Sequence, residues 1–234
     1  MRALDVSARA MPHTTRLMIA PIRQRTRIKF CGMKRASDIR AAVQLGVDAI
    51  GLIVVPGTKR GLAIDEAAAL RREVPALATA ALLLMDAEPD FARAAVQAVQ
   101  PDLLQFHGGE DPALCASLGR PWIKAVPMGS VEDPLAYQRR YAGAVGFVFD
   151  SHGAGGHGGS GHGFDWARLP AERLAPLLLA GGLKPDNVFE AVCAVRPHAV
   201  DVSSGIEAAP GEKSLARMQA FVSEVERADR GQAS

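Results

Sequence analysis

Eight short apolar runs recur along the chain from Arg27 onward and constrain its fold more than any other feature. Each run is nearly continuous in apolar residues and does not alternate apolar with polar positions. Parallel strands that are covered on both faces have this pattern, whereas half-exposed strands alternate. The sequence therefore predicts eight buried parallel strands, at RIKFC (Arg27–Cys31), DAIGLIVV (Asp48–Val55), ALATAALLLM (Ala76–Met85), DLLQFHG (Asp102–Gly108), WIKAV (Trp122–Val126), AVGFVFD (Ala144–Asp150), LLLAGG (Leu177–Gly182) and HAVDVSSG (His198–Gly205).

Helix-like segments lie between these runs. In one of them Val188, Val192 and Val195 fall on one helical face, behind a proline that suits a first helical turn. The connection that follows Asp150 is the least regular. The predicted helices are Ser37–Leu45, Asp65–Glu73, Pro89–Val99, Asp111–Leu118, Glu132–Arg140, Pro185–Val195 and Lys213–Glu226.

The alternation of strands and helices predicts an α/β fold, the eight-stranded parallel (βα)8 TIM barrel. An open doubly wound sheet is the main alternative, but no GxGxxG turn follows the first strand. The predicted domains are an extension at residues 1–26, a single barrel at 27–228 and a tail at 229–234. The extension is rich in arginine and carries one acid, Asp5. This composition favours a disordered segment or a later true start, with organellar targeting as the other interpretation.

Charge and cysteine content exclude several classes of protein. The 27 basic and 25 acidic residues give a net charge of +2, which argues against nucleic acid as a partner. The three cysteines form no CxxC pair, so no disulfide framework is expected and a cytoplasmic location fits better. No apolar run approaches the roughly 20 residues of a membrane helix, so we expect no membrane partner.

The predicted strand ends carry side chains that could perform chemistry. In a βα barrel the catalytic groups lie on the loops at the carboxyl ends of the strands. Each group alone has a structural interpretation, such as a packed cysteine or a solvated arginine, but their convergence on one face favours a functional site. The candidates are Cys31, Arg60, His107, Asp150 and Asp201.

Small residues after the seventh and eighth strands predict a phosphate site. In barrel enzymes the loops at these positions often bind phosphate through backbone N–H groups, and glycine lets the backbone approach the ligand closely. The residues concerned are Gly181, Gly182, Ser203, Ser204 and Gly205.

Longer segments then resemble a known family. KFCGMKRASDIRAAVQLGVDAIGLIVVPGTKR, LLQFHG, GGSGHGFDW, LAGGLKPDNV and VDVSSGIEAAPGEKS follow one another along the chain. Together, from about Arg27 to Val225, they resemble the phosphoribosylanthranilate isomerases of tryptophan biosynthesis. The resemblance implies a βα barrel without a cofactor, whose substrate is a small sugar phosphate. The implied reaction is an Amadori rearrangement of N-(5-phosphoribosyl)anthranilate to 1-(2-carboxyphenylamino)-1-deoxyribulose 5-phosphate by general acid–base catalysis.

The resemblance also implies roles for individual residues. Cys31 matches the general base and Asp150 the general acid. Arg60 matches the arginine that holds the anthranilate carboxylate, while His107 matches a histidine at the mouth and Asp201 an aspartate near the aniline. The phosphate would be bound by Gly159, Gly181, Gly182, Ser203, Ser204 and Gly205. The family often has lysine where this chain has His162.

Such chemistry requires unusual protonation states. The pKa of Asp150 would have to rise from about 3.9 towards 7 for half of it to be protonated at neutral pH. The apolar residues GFVF before it could favour this by desolvation. Cys31 would need a nearby cation or a helix amino terminus to favour its thiolate.

Several alternatives remain open. The aldose–ketose isomerase of the histidine pathway uses two aspartates, which the thiol on the first strand argues against. A catalytically silent phosphate-binding barrel would need neither Cys31 nor Asp150. His152, His157 and His162 recur every five residues and could ligate a metal, but so glycine-rich a loop is costly to order. We therefore expect no metal and a mobile lid at residues 152–163. The chain could be a monomer or a homodimer.

Overall fold

The computed structural model describes residues 25–153 and 163–231, which form a closed parallel barrel. Each strand pairs with the next along the chain, and the eighth pairs back onto the first. This closure confirms the predicted TIM barrel and excludes the open sheet. The strands are β1 Arg27–Cys31, β2 Ala49–Ile53, β3 Thr79–Leu84, β4 Leu103–Phe106, β5 Trp122–Pro127, β6 Phe147–Asp150, β7 Leu177–Leu179 and β8 Ala199–Val202.

Seven α-helices occur in the described residues. Two of them have the predicted bounds, and the last continues to Gly231, past the predicted end of the domain at residue 228. The helices are α1 Ala36–Gln44, α2 Ile64–Arg71, α3 Pro89–Val99, α4 Pro112–Ser117, α5 Pro134–Arg140, α6 Pro185–Val195 and α7 Leu215–Gly231. None of them is both long and apolar enough to cross a bilayer.

Two connections depart from simple βα alternation. Between β6 and β7 the described residues contain only a 3₁₀ turn at Trp166–Arg168, in agreement with the irregularity expected there. After β8 the chain forms a short antiparallel ribbon, which the sequence did not predict. Its strands are β9 Glu207–Ala209 and β10 Glu212–Lys213.

Helix starts follow from local chemistry. Four helices (α3, α4, α5 and α6) begin with proline, which has no N–H to leave unpaired in the first turn. Two of these are also capped by aspartate. Asp111 accepts a hydrogen bond from the N–H of Ala113 at 2.7 Å, and Asp133 accepts one from the N–H of Leu135 at 2.9 Å.

Successive strand residues face different cores. On β3, Leu82 and Leu84 pack into the large core between barrel and helices, whereas Leu83 belongs to a small cluster with Cys31 inside the barrel mouth. On β1, Phe30 joins the outer core and Cys31 the inner cluster. This period of two places Lys29 and Cys31 on the inner face.

Candidate active site

A cavity of about 640 Å³ opens at the carboxyl-terminal end of the barrel. It is lined by all five candidate side chains, from strands distant in sequence, and by two serines after β8. These lining residues are Cys31, Arg60, His107, Asp150, Asp201, Ser203 and Ser204. The structure therefore brings the candidate groups to one site, as the barrel fold predicts.

Cys31 ends β1 with its thiol buried at this mouth. Its register partner on β2 is Gly51, where a Cβ atom would lie 2.7 Å from the Cys31 sulfur. The glycine thus leaves room for the thiol. Burial raises the pKa of Cys31 above its ordinary value, although Lys29 and Lys213 act in the opposite direction. Lys29 and Lys213 are the kind of cation that a thiolate would need, but the effect of burial on the pKa is larger than theirs. The site therefore favours the neutral thiol.

Lys29 lies two residues before Cys31 on the same face of β1. Its Nζ is 2.9 Å from both carboxylate oxygens of Asp201 on β8, and both side chains are buried. Burial disfavours the ammonium, but Asp201 and Cys31 outweigh this effect and raise the pKa of Lys29. The ion pair holds a fixed cation beside the thiol and neutralises Asp201.

Asp150 ends β6 between two imidazoles. Nε2 of His107 and Nδ1 of His152 each lie 3.8 Å from one of its carboxylate oxygens. Burial favours the protonated acid, but His152 and His107 outweigh it and lower the pKa of Asp150. The expectation that apolar neighbours raise this pKa is therefore wrong for the ligand-free site. Burial, helped by His152, lowers the pKa of His107 to about 3, so its ring is neutral at physiological pH.

Arg60 follows β2 and is held by a bidentate ion pair with the ribbon. Its Nε lies 2.7 Å from Oε1 of Glu207, and its Nη2 lies 2.8 Å from Oε2. Lys213 donates to the same Oε1 at 2.9 Å and to the carbonyl of Ser203 at 3.0 Å. Burial alone would raise the pKa of Glu207, but Arg60 and Lys213 lower it. Two cations share one carboxylate, so this cluster carries an excess positive charge.

Two glycines of the loops after β7 and β8 pack tightly against neighbouring loops, but none of Gly181, Gly182 and Gly205 is among the residues that line the cavity. Gly181 has φ +80°, and a Cβ atom there would lie 2.6 Å from the backbone nitrogen of Ser151. A Cβ atom at Gly205 would collide with the carbonyl oxygen of Leu183. Glycine is therefore required at both positions for the loops after β6, β7 and β8 to meet. Gly182 lies beside them with φ +67°, whereas Gly159 lies outside the described residues.

Sequence reasoning missed three charged residues and one glycine of the site. Lys29 could have been found, because a lysine within an apolar strand, in phase with Cys31, must point into the barrel. Glu207 and Lys213 belong to the EAAPGEKS segment, whose polar composition gave no sign of burial. Gly51 was counted only as part of a strand.

A closed parallel barrel whose mouth combines a thiol, a carboxylic acid and a fixed positive cluster defines a βα-barrel enzyme with acid–base groups at its strand ends. The family model for N-(5'-phosphoribosyl)anthranilate isomerase matches residues 28–224. The chain belongs to this family.

Individual relatives agree with the family assignment. An N-(5'-phosphoribosyl)anthranilate isomerase of Xanthomonas euvesicatoria is 50% identical over 211 residues, covering 88% of this chain and 95% of that protein. The crystal structure of the phosphoribosyl anthranilate isomerase from Thermotoga maritima matches with a TM-score of 0.77 and 32% identity. The match covers 86% of this chain and 99% of that one. Another solved isomerase, in complex with reduced 1-(o-carboxyphenylamino)-1-deoxyribulose 5-phosphate, has a TM-score of 0.71 at 29% identity, with the same coverage.

Proposed function

We propose that this chain catalyses the Amadori rearrangement of N-(5'-phosphoribosyl)anthranilate in tryptophan biosynthesis, with Cys31 as general base and Asp150 as general acid. The observation that carries the proposal is the position of these two side chains. They line one cavity from strands β1 and β6, which are separated by two other strands around the barrel on one side. An acid and a base can therefore approach the same sugar from different directions.

The reaction needs only these two groups. Asp150 gives a proton to the furanose ring oxygen, and the ring opens to an iminium ion. Cys31 removes the proton from C2, and the resulting enolamine tautomerises to the ketone. C2 is oxidised and C1 is reduced within the same molecule, so no external oxidant or reductant takes part. Positioned acids and bases typically contribute about 10²–10⁴-fold each to such steps.

The free enzyme favours a protonated Cys31 and an ionised Asp150, which is the opposite of what the first step requires. Burial favours the thiol of Cys31, and the imidazoles favour the carboxylate of Asp150. This is also the protonation state left by one turnover, because the acid has then lost a proton and the base has gained one. A proton must therefore return to Asp150 before each new turnover.

Arg60 is proposed to bind the anthranilate carboxylate through the edge that Glu207 leaves free. Glu207 occupies Nε and one proton of Nη2. No hydrogen bond within the described part of the chain involves Nη1, and Arg60 lines the cavity. The second cation, Lys213, keeps the cluster positive while Glu207 fixes the guanidinium. This arrangement favours a carboxylate ligand.

The phosphate is proposed to lie against the loops after β7 and β8. Ser203 and Ser204 line the cavity, whereas Gly181 and Gly182, which have positive φ angles, are not among its lining residues. Lys213 donates a hydrogen bond to the Ser203 carbonyl and adds positive charge. A role for Gly159 remains a prediction, as do the cytoplasmic location and the choice between monomer and homodimer.

A direct assay tests the proposal. N-(5'-phosphoribosyl)anthranilate is generated in place from anthranilate and phosphoribosyl pyrophosphate, and the loss of its fluorescence is followed after addition of the purified chain. We expect loss well above the spontaneous rate and a product that co-migrates with authentic 1-(2-carboxyphenylamino)-1-deoxyribulose 5-phosphate. Asp150→Asn serves as the matched control.

Two outcomes would contradict the proposal. Binding of the product without turnover would favour the catalytically silent barrel. Turnover of the histidine-pathway aminoaldose phosphate alone would favour the two-aspartate isomerase, although Asp201 is already neutralised by Lys29.

A further inference from the structure

Three metal-binding side chains meet beside the general acid. His107 follows β4, Asp150 ends β6, and His152 lies two residues further along. All three are buried, and one ligand atom of each lies within 4.8 Å of the other two. This cluster differs from the one considered in the sequence, because His157 and His162 lie outside the described residues.

Two of these ligand atoms have no hydrogen-bond partner. Nε2 of His107 and Nδ1 of His152 are buried and unsatisfied within the described part of the chain. Each is 3.8 Å from a carboxylate oxygen of Asp150, which is too long for a hydrogen bond. Buried polar atoms without partners are uncommon in folded proteins and indicate a missing ligand, ion or water.

The spacing of the cluster is close to that of a metal site. Zinc binds imidazole nitrogen and carboxylate oxygen at about 2.0–2.2 Å in a tetrahedron, so its ligand atoms lie roughly 3.3–3.5 Å apart. The two separations of 3.8 Å run to different carboxylate oxygens, and with one ligand atom from each residue the three atoms lie within 4.8 Å of one another. The side chains must therefore move together by roughly 1 Å to hold one ion. The imidazole rings are stacked, with centroids 4.2 Å apart and 25° between their planes. One ring must therefore turn about its Cβ–Cγ bond for both lone pairs to point at one ion.

Gln105 can select the tautomer that a metal requires. Its amide nitrogen lies 3.4 Å from Nδ1 of His107, and its amide oxygen is buried without a partner. If the amide is turned over, the oxygen accepts the proton of Nδ1 and the lone pair of Nε2 becomes available. Metal-binding histidines usually donate their other N–H in this way.

The surrounding charges do not oppose a cation. Lys29 and Lys124 are the lysines that act on His107. Each is paired with a buried carboxylate, at 2.9 Å from Asp201 and 3.0 Å from Glu110. Within the described residues, these two lysines therefore balance other carboxylates and not Asp150.

We propose that His107, Asp150 and His152 form an inhibitory site for a divalent transition metal ion such as Zn²⁺. Two imidazoles and a carboxylate are the ligand set that such ions prefer. A bound ion holds the carboxylate of Asp150, so that this residue can no longer carry the proton that opens the sugar ring. The inhibition rests on the proposed function, whereas the binding of the ion does not. Substrate can still bind through Arg60 and the phosphate loops, but the metal-bound chain does not turn it over.

Binding is tested first, on the full chain after treatment with a chelator and without substrate. Calorimetry with Zn²⁺ is expected to give one ion per chain. His107→Asn and His152→Asn should each lower the affinity at least tenfold, while their melting temperatures show that both variants fold. His157→Asn and His162→Asn are the matched controls and should bind Zn²⁺ as the unchanged chain does. Loss of binding only in these controls would overturn the proposal.

The visible spectrum of Co²⁺ separates the proposed site from the thiol. A Co²⁺ site of nitrogen and oxygen ligands lacks the intense thiolate-to-metal band that ligation by Cys31 would produce. We expect no such band, and Cys31→Ser should leave the affinity for Co²⁺ unchanged. The intense band, or loss of affinity in Cys31→Ser, would place the ion on the cysteine and overturn the proposal.

Inhibition is measured last. Zn²⁺ should lower kcat for N-(5'-phosphoribosyl)anthranilate with little change in KM, and excess chelator should restore the original kcat. Each variant is compared with its own rate without metal. If calorimetry and Co²⁺ spectra detect the site but no isomerase activity is found, only the proposed function fails. If activity is present and Zn²⁺ neither binds nor inhibits, the metal site is wrong.

Discussion

At the scale of single residues, the site is defined by the opposed protonation preferences of Cys31 and Asp150. Burial acts on both groups in the same direction and favours their neutral forms. Only Asp150 has neighbours, His152 and His107, that reverse this effect. Because the two pKa values lie on opposite sides of neutrality, the reactive combination of thiolate and carboxylic acid is a minor form of the free enzyme.

This minor form gives a specific pH dependence. Between pH 7 and 8.5 each rise in pH increases the thiolate fraction of Cys31 and decreases the protonated fraction of Asp150 by the same factor. We therefore expect kcat/KM to be level over this range, in which the substrate phosphate, with a second pKa of about 6, is mostly a dianion. If the thiol alone controlled the rate, kcat/KM would rise about 30-fold over the same 1.5 pH units. Initial rates at low substrate concentration distinguish the two profiles.

Substitution of the pair should slow chemistry without preventing binding. Asp150→Asn removes the transferable proton, and Cys31→Ser replaces the thiol with a hydroxyl that does not ionise at neutral pH. Each change should lower kcat by about 10²–10⁴-fold. Product affinity, measured by calorimetry, should remain nearly normal, because Arg60 and the glycine loops are untouched. The double variant should lose less than the product of the two single effects.

Cys193→Ser is the control for this series, since Cys193 lies on α6 and does not line the cavity. Its kcat should equal that of the unchanged chain. Unchanged turnover in Cys31→Ser would instead mean that the thiol is a packing residue.

At the scale of elements, the ribbon β9–β10 fixes the orientation of the Arg60 guanidinium. Glu207 and Lys213 reach the site from this ribbon, and the Arg60–Glu207 contact joins residues 147 positions apart. Because Arg60, Glu207 and Lys213 form a charge cluster with little solvent exposure, removal of one charge leaves the others without compensation.

Glu207→Gln tests this role of the ribbon with little change in the shape of the side chain. The amide can keep one hydrogen bond to Arg60 but cannot balance two cations, so the guanidinium should lose its fixed orientation. We expect KM for the substrate to rise about 10- to 100-fold, corresponding to the roughly 1.5–3 kcal/mol of a charged hydrogen bond. The inhibition constant of inorganic phosphate should change much less, since phosphate is assigned to other loops.

Glu212→Gln is the matched control, because this glutamate lies on the same ribbon with its side chain 62% exposed. It should leave KM unchanged. Equal effects of the two substitutions would mean that the ribbon acts only through its own stability.

The elements also explain which features were predictable from the sequence. α3 and α6 have the predicted bounds because each begins at a proline and ends two residues before the next one, Pro101 or Pro197. The strand ends that carry Cys31 and Asp150 were predictable because apolar runs stop there. The Lys29–Asp201 and Arg60–Glu207 ion pairs were not predictable, because contacts across 172 and 147 residues leave no local pattern in the sequence. The lowered pKa of Asp150 comes first from His152, two residues further along, and then from His107 after β4. The sequence did not show that the His152 ring lies against the carboxylate.

At the scale of the whole molecule, the barrel separates stability from function along its axis. Catalytic groups lie at the carboxyl ends of the strands, while the closure between β8 and β1 is reinforced at the other end. There the N–H and the hydroxyl of Thr26 each donate to Asp229 of α7 at 2.8 Å. Thr26 directly precedes β1, so these bonds tie the first strand to the last helix.

Asp229→Ala should therefore lower stability without changing catalysis. The substitution leaves the N–H and hydroxyl of the buried Thr26 without their charged acceptor, at a cost of about 1.5–3 kcal/mol. For a domain of this size that corresponds to a fall in melting temperature of roughly 3–12 °C, measured by calorimetry. KM and kcat at 25 °C should stay the same, because β1 separates Thr26 from Cys31. Glu190→Ala, which removes an exposed carboxylate from α6, should change neither quantity. A fall in kcat that accompanies the loss of stability would show that strain at the closure reaches the thiol along β1, and the separation of the two ends would be wrong.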